Sequence, residues 1–142
     1  MDIQADYGQG IHCFTVACEG DGEGKLRLEL TAPETISGIC ATVKGETGEL
    51  SYEGLSLGFG LLAEGRISPV AAPAIALDCW LSEFVLSAGT EGELYRASYE
   101  KKISEKALLL DTYFENGIPI FADMCYNNKK IIHMEISDFA YH

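Results

Sequence analysis

A chain of 142 residues, 47% of them hydrophobic, is long enough to bury a core of its own and too apolar to be disordered. Its formal net charge of −12 weighs against nucleic acid and against an anionic membrane surface, since both need basic patches on the protein. The five cysteines, Cys13, Cys18, Cys40, Cys79 and Cys125, form no CxxC pair and show no metal-ligand spacing, so they read as small buried hydrophobes.

In chain order, Met1 is followed at once by Asp2-Ile3-Gln4-Ala5-Asp6-Tyr7, which looks like the interior of a folded domain. The expectation is that Met1 stands where a leader has been removed, with a native start as the alternative; no signal peptide or transmembrane segment is visible. Gly8-Gln9-Gly10 turns that strand into Ile11 to Cys18, and Glu19 to Gly24 is a second turn cluster. Lys25 to Leu30 alternates strictly, placing Leu26, Leu28 and Leu30 on the core side and Lys25, Arg27 and Glu29 in water. Ala32-Pro33-Glu34 breaks it. Gly38 to Lys44, Glu49 to Glu53 and an apolar run from Leu55 to Leu62 continue the series.

Ser68 to Gly89 reads as the main helix. Ser68 suits a cap, Pro69 a first position and Gly89 a stop, while Pro73 moves the regular helix towards its own position. Apolar residues cover most of its circumference, so it is expected to be buried; it falls short of the roughly 20 apolar residues of a membrane span. Strands resume at Glu93 to Glu100. A meander then runs through Ala107 to Glu115, Ile118 to Tyr126 and Lys130 to Asp138, with tight turns at Asn116-Gly117 and Asn127-Asn128. In Ile118 to Tyr126 one face carries Ile118, Ile120, Ala122, Met124 and Tyr126, yet the other still offers Phe121 and Cys125. Such a strand is either covered on both sides or bears an exposed apolar patch.

The fold class that follows is mainly β (α+β): one curled antiparallel meander of about ten strands, an open half-barrel, with one main helix covering its concave face. A single domain spans 1–142.

Chemistry-bearing motifs are sparse. His12 and His133 sit in ordinary strand positions, and His142 lies at a frayed end. No nucleophile elbow, phosphate loop, zinc-protease motif or calcium loop occurs, and no cofactor is implied. The acidic Gly20 to Gly24 run is turn chemistry. Asp111, Glu115, Asp123, Glu135 and Asp138 lie on the meander, where two facing carboxylates would do hydrolase work; solvent-facing strand positions also account for them. Leu77, Trp80, Leu81 and Phe84 fall at helical spacing. They form either a core stripe or one wall of an apolar cavity, with Tyr52, Leu110, Tyr113, Ile120 and Met124 as facing strand residues.

Several segments resemble the bacterial lipoprotein carrier group (LolA/LolB-like) and its relatives among cell-envelope lipoproteins. They are the strands up to Thr31 followed by Ala32-Pro33-Glu34, Leu50-Ser51-Tyr52-Glu53-Gly54-Leu55, Ile67-Ser68-Pro69 entering the helix, and the hairpins Leu108 to Asp138 closing on Ile136-Ser137-Asp138-Phe139. The sequence departs from the group in showing no helix before its first strand. The resemblance implies a non-enzymatic, extracytoplasmic protein, given a removed leader, whose cavity takes a lipid, an acyl chain or another apolar molecule, with an envelope protein as possible partner. A cytoplasmic place, a protein-interaction module without a small ligand, and a hydrolase using the meander carboxylates are the alternatives.

Overall fold

The computed structural model describes residues 1–82 and 84–141. Glu83 and His142, read above as helical and as a frayed end, lie outside the described residues. The protein is mostly β. In chain order its elements are β1 (Asp2–Asp6), β2 (Ile11–Gly20), β3 (Lys25–Ala32), β4 (Cys40–Lys44), β5 (Thr47–Tyr52), β6 (Leu55–Gly60), β7 (Leu62–Ala63), β8 (Arg66–Ile67), α1 (Ala72–Ser82), β9 (Val85–Glu91), β10 (Leu94–Ile103), β11 (Lys106–Glu115), β12 (Ile118–Tyr126) and β13 (Lys129–Glu135). Eleven of the strands form one antiparallel sheet that does not close, in the order β6-β5-β4-β3-β2-β1-β13-β12-β11-β10-β9; β7 and β8 make a small separate hairpin. The chain divides into two compact units, one of Phe14–Leu81 and one of Met1–Cys13 with Ser82–His142.

The unit of Phe14–Leu81 holds most of β2, strands β3 to β6, the small hairpin and α1. Cross-strand partners share a face, so the pairing register sorts the side chains. Leu26, Leu28 and Leu30 are buried as their alternation requires, and Ala41 and Val43 lie opposite Leu28 and Leu26 on the same dry face. At the turn after β2, the Asp21 carboxylate accepts the backbone N–H groups of Glu23 and Lys25, at 2.8 and 3.1 Å. The acidic run is thus a side-chain-stabilised turn.

The helix begins as expected near Pro73 but ends early. Pro69–Ala71 form one 3-10 turn; Ser68 caps it with its backbone carbonyl, which accepts the Ala71 N–H, and contributes no side-chain cap. Pro73 sits in the first turn of α1, where its missing N–H costs nothing. Ala71, Ala72, Ala74, Ala76 and Cys79 are buried small residues that let the helix approach closely, and the larger Ile75 is buried with them. Gly20 supplies the matching room: a Cβ there would lie 2.8 Å from Leu77 Cδ2.

The helix predicted to reach Gly89 stops at Ser82, and 85–91 is strand β9. Its register with β10 (Ser87 with Ser98, Ala88 with Ala97, Gly89 with Arg96) supplies long-range hydrogen bonds that a short apolar run cannot signal locally. Gly92, at φ +63°, makes the tight turn between them.

The second unit contains β1 and β9 to β13. Two cross-strand rows form its dry face: Ala5–Ile132–Met124–Leu110–Tyr99, and Ile3–Met134–Ala122–Thr112–Ala97. All ten residues are buried. Asn116-Gly117 and Asn127-Asn128 have positive φ at both central positions, as their hairpins need. The simple alternation expected along β12 fails at its start. Tyr113 pairs with Phe121 and Phe114 with Pro119, so Ile120 is an extra residue in a bulge; Pro119 turns inward and Ile118 outward.

Candidate functional site

An apolar sheet face left open at one edge marks the site. In the unit of Phe14–Leu81, one row runs Cys18–Leu28–Ala41–Leu50–Leu57 and its neighbour Gly20–Leu26–Val43–Gly48–Phe59. Tyr52 pairs with Leu55 one step further along. The middle of this face is dry, but towards β6 it opens: Leu50 is half-buried, Leu57 is 66% exposed, Leu55 76% and Tyr52 47%. Leucines at that exposure on an outermost strand form an apolar shelf continuous with a core. Phe59 folds its ring onto Gly48, whose missing side chain leaves the space.

Cys18 reports on the other end of the row. Its thiol is reached by solvent, yet loss of water around it pushes its pKa up to about 11. Cys18 is thus an exposed residue at the end of a row whose next members, Leu28 and Ala41, are buried. The expectation of five buried cysteines is corrected accordingly. Cys79 alone is buried, Cys13 and Cys18 are exposed, Cys40 and Cys125 are half-buried, and all five are free.

The residues expected to line a cavity are placed as follows. Leu77 and Trp80 are half-buried on α1, with Leu77 against Gly20; Leu81, at the helix end, is exposed. Phe84 is past the helix and 94% exposed, so it does not extend the helical stripe. Tyr52 stands on the shelf. In the other unit, Leu110 and Met124 are cross-strand partners, both fully buried. Tyr113 points to the opposite face, where its ring stacks on Phe121 at 4.3 Å between centroids. Burial and the nearby Glu91 carboxylate raise its hydroxyl pKa. Ile120 lies in the bulge.

Sequence reasoning missed Cys18, Leu55 and Leu57. The Leu55-Ser56-Leu57 alternation was available as a signal, but alternation does not tell an outermost strand from an inner one. Among the described residues, no helix is long and apolar enough to cross a membrane, and no group of three His, Cys, Asp or Glu side chains is placed to hold a metal ion.

No family model matches the chain, and no curated protein matches it in sequence. Among solved structures, it is similar to a LolA superfamily protein from Nitrosomonas europaea, at 15% identity and a TM-score of 0.49. The match covers 92% of this chain and 64% of that one, so the chain spans under two thirds of its neighbour's length.

Proposed function

We propose that the protein is a non-enzymatic binding protein for an apolar ligand, a lipid or acyl chain, working in the cell envelope as a carrier or lipoprotein of the LolA-like kind. The observation that carries this reading is the apolar face of the Phe14–Leu81 unit, dry at its centre and open at β6, with the exposed Cys18 in the same row. An acyl chain laid along Cys18, Leu50, Tyr52, Leu55 and Leu57 would remove apolar surface from water at about 25 cal/mol per Å². Leu77, Trp80 and Leu81 are the helix residues put forward for the same ligand. Phe84, Leu110, Tyr113, Ile120 and Met124, all of the other unit, belong to the proposal only as a second set, in which Leu110 and Met124 are fully buried and Phe84 is exposed.

The test is native mass spectrometry of detergent-free protein, with titration of a fluorescent fatty acid. A one-to-one apolar adduct, saturable uptake, and protection of Cys18 from a maleimide by the bound chain are expected. A bare mass with no uptake would sink the reading.

One observation favours a second reading, a protein-interaction module. Strand β6 (Leu-Ser-Leu-Gly-Phe-Gly) has no charge and no proline to discourage pairing at its outer edge. That reading predicts a stable complex or self-association in sedimentation, with no trapped lipid.

A further inference from the structure

On the outer face of the β1–β13–β12–β11 sheet, the register assembles polar and charged groups that the apolar shelf does not include. One row runs Gln4–His133–Asp123–Asp111, and the next runs Asp2–Glu135–Phe121–Tyr113. His133 Nδ1 lies 2.6 Å from Asp123 Oδ1, and Lys130 Nζ holds the same oxygen at 2.9 Å. A carboxylate on Nδ1 fixes that nitrogen as the donor, which leaves Nε2 of the neutral ring as an acceptor. Nε2 faces Glu135 Oε1 at 3.8 Å, too long for a direct hydrogen bond and short enough for one donor nitrogen to reach both.

These two acceptors line a cleft of about 360 Å³ with Asp2, Ile120, Phe121, Ile136 and Ser137. The bulge at Ile120 shapes its wall, because the Ile136 N–H donates to the Ile120 carbonyl at 2.8 Å and brings the chain after β13 across the strand end. The Phe121 ring is 5.7 Å from the imidazole and is backed by Tyr113. Among the described residues, no lysine or arginine lines the cleft. A lining that combines two acceptors, an aromatic ring and isoleucines suits a donor-bearing cation with an apolar body.

We propose that this cleft binds the ammonium end of a primary amine, held between His133 Nε2 and Glu135, with its hydrocarbon portion against Phe121, Ile120 and Ile136. A neutral alcohol of the same shape would keep the apolar contacts and lose the charge. The groups facing the imidazole are Asp123 with Lys130 from β12 and β13, Glu135 on its own strand, Gln4 across on β1, and the Phe121 ring.

The test follows the His133 ring signals by NMR during titration of the full chain with phenethylamine and, separately, with phenethyl alcohol. The amine is expected to bind saturably, with the alcohol weaker by about tenfold or more, the size of one charge-assisted hydrogen bond. Glu135→Gln should weaken the amine and leave the alcohol unchanged; Glu135 is largely exposed, so the fold should survive, and Asp2→Asn serves as a second variant. Absence of any shift with the amine, equal binding of amine and alcohol, or an unchanged affinity in Glu135→Gln would each overturn the proposal.

Discussion

Cys18 shows how far one side chain can depart from what its neighbours suggest. An ordinary thiol ionises near pH 8.5, so a pKa raised to about 11 leaves far less thiolate at neutral pH. Cys18 is therefore expected to alkylate more slowly than a free cysteine in solution, and its rate should keep rising beyond about pH 10; stopped-flow labelling of a variant that keeps Cys18 alone checks this. Asp21 carries a pH dependence of the opposite kind. The backbone N–H groups of Glu23 and Lys25, aided by the nearby lysine charges, hold its carboxyl below the usual range. The folded pKa being the lower one, its contribution is complete above the unfolded value of about 3.9 and fades as pH falls through the folded value. Asp21→Asn should thus flatten the loss of thermal stability between about pH 5 and pH 3 relative to the parent. Gly48 makes a steric prediction: any larger side chain displaces the Phe59 ring, so Gly48→Val should cost about 1–3 kcal/mol in chemical denaturation.

At the scale of elements, the contrast lies between central and outer strands. Leu110→Ala empties a fully buried position and should cost about 2–5 kcal/mol. Leu57→Asn, on the exposed shelf, should change stability by less than about 0.5 kcal/mol while weakening uptake of a fluorescent fatty acid. Trp80→Ala separates the two roles of the helix: a loss of binding at modest stability cost marks a ligand wall, and a loss of about 3–5 kcal/mol marks a core residue. Much of this layout was legible beforehand. The leucines of β3 alternate cleanly, and Asn116-Gly117 and Asn127-Asn128 announce their hairpins, because both signals are local. The end of α1 was not, since Val85 to Glu91 is apolar enough for either state and only its pairing with β10 decides. The Ser104-Glu105 hairpin was equally silent: both residues adopt positive φ without glycine or asparagine to reveal it. The shelf at β6 stayed hidden because its exposure depends on which strand ends the sheet.

For the molecule as a whole, the net charge of −12 bears on association more than on fold. Approach to the isoelectric point near 4.5 should bring self-association, measurable by light scattering, and the exposed leucines of β6 are where it should begin. The division into two units sets a further condition. One unit is drawn from both ends of the described chain, with β1 paired to β13 through Asp2–Glu135, Ile3–Met134, Gln4–His133 and Ala5–Ile132. On the ribosome, β1 emerges early and must wait for Lys129–Glu135 before that edge finds its partner. Phe14–Leu81, by contrast, is contiguous and can settle while the rest is still being made. Such delayed closure favours slow folding and leaves a strand edge exposed to wrong partners in the meantime. A nascent chain halted before residue 129 would therefore keep one unit whole and the other open to rescue by a chaperone.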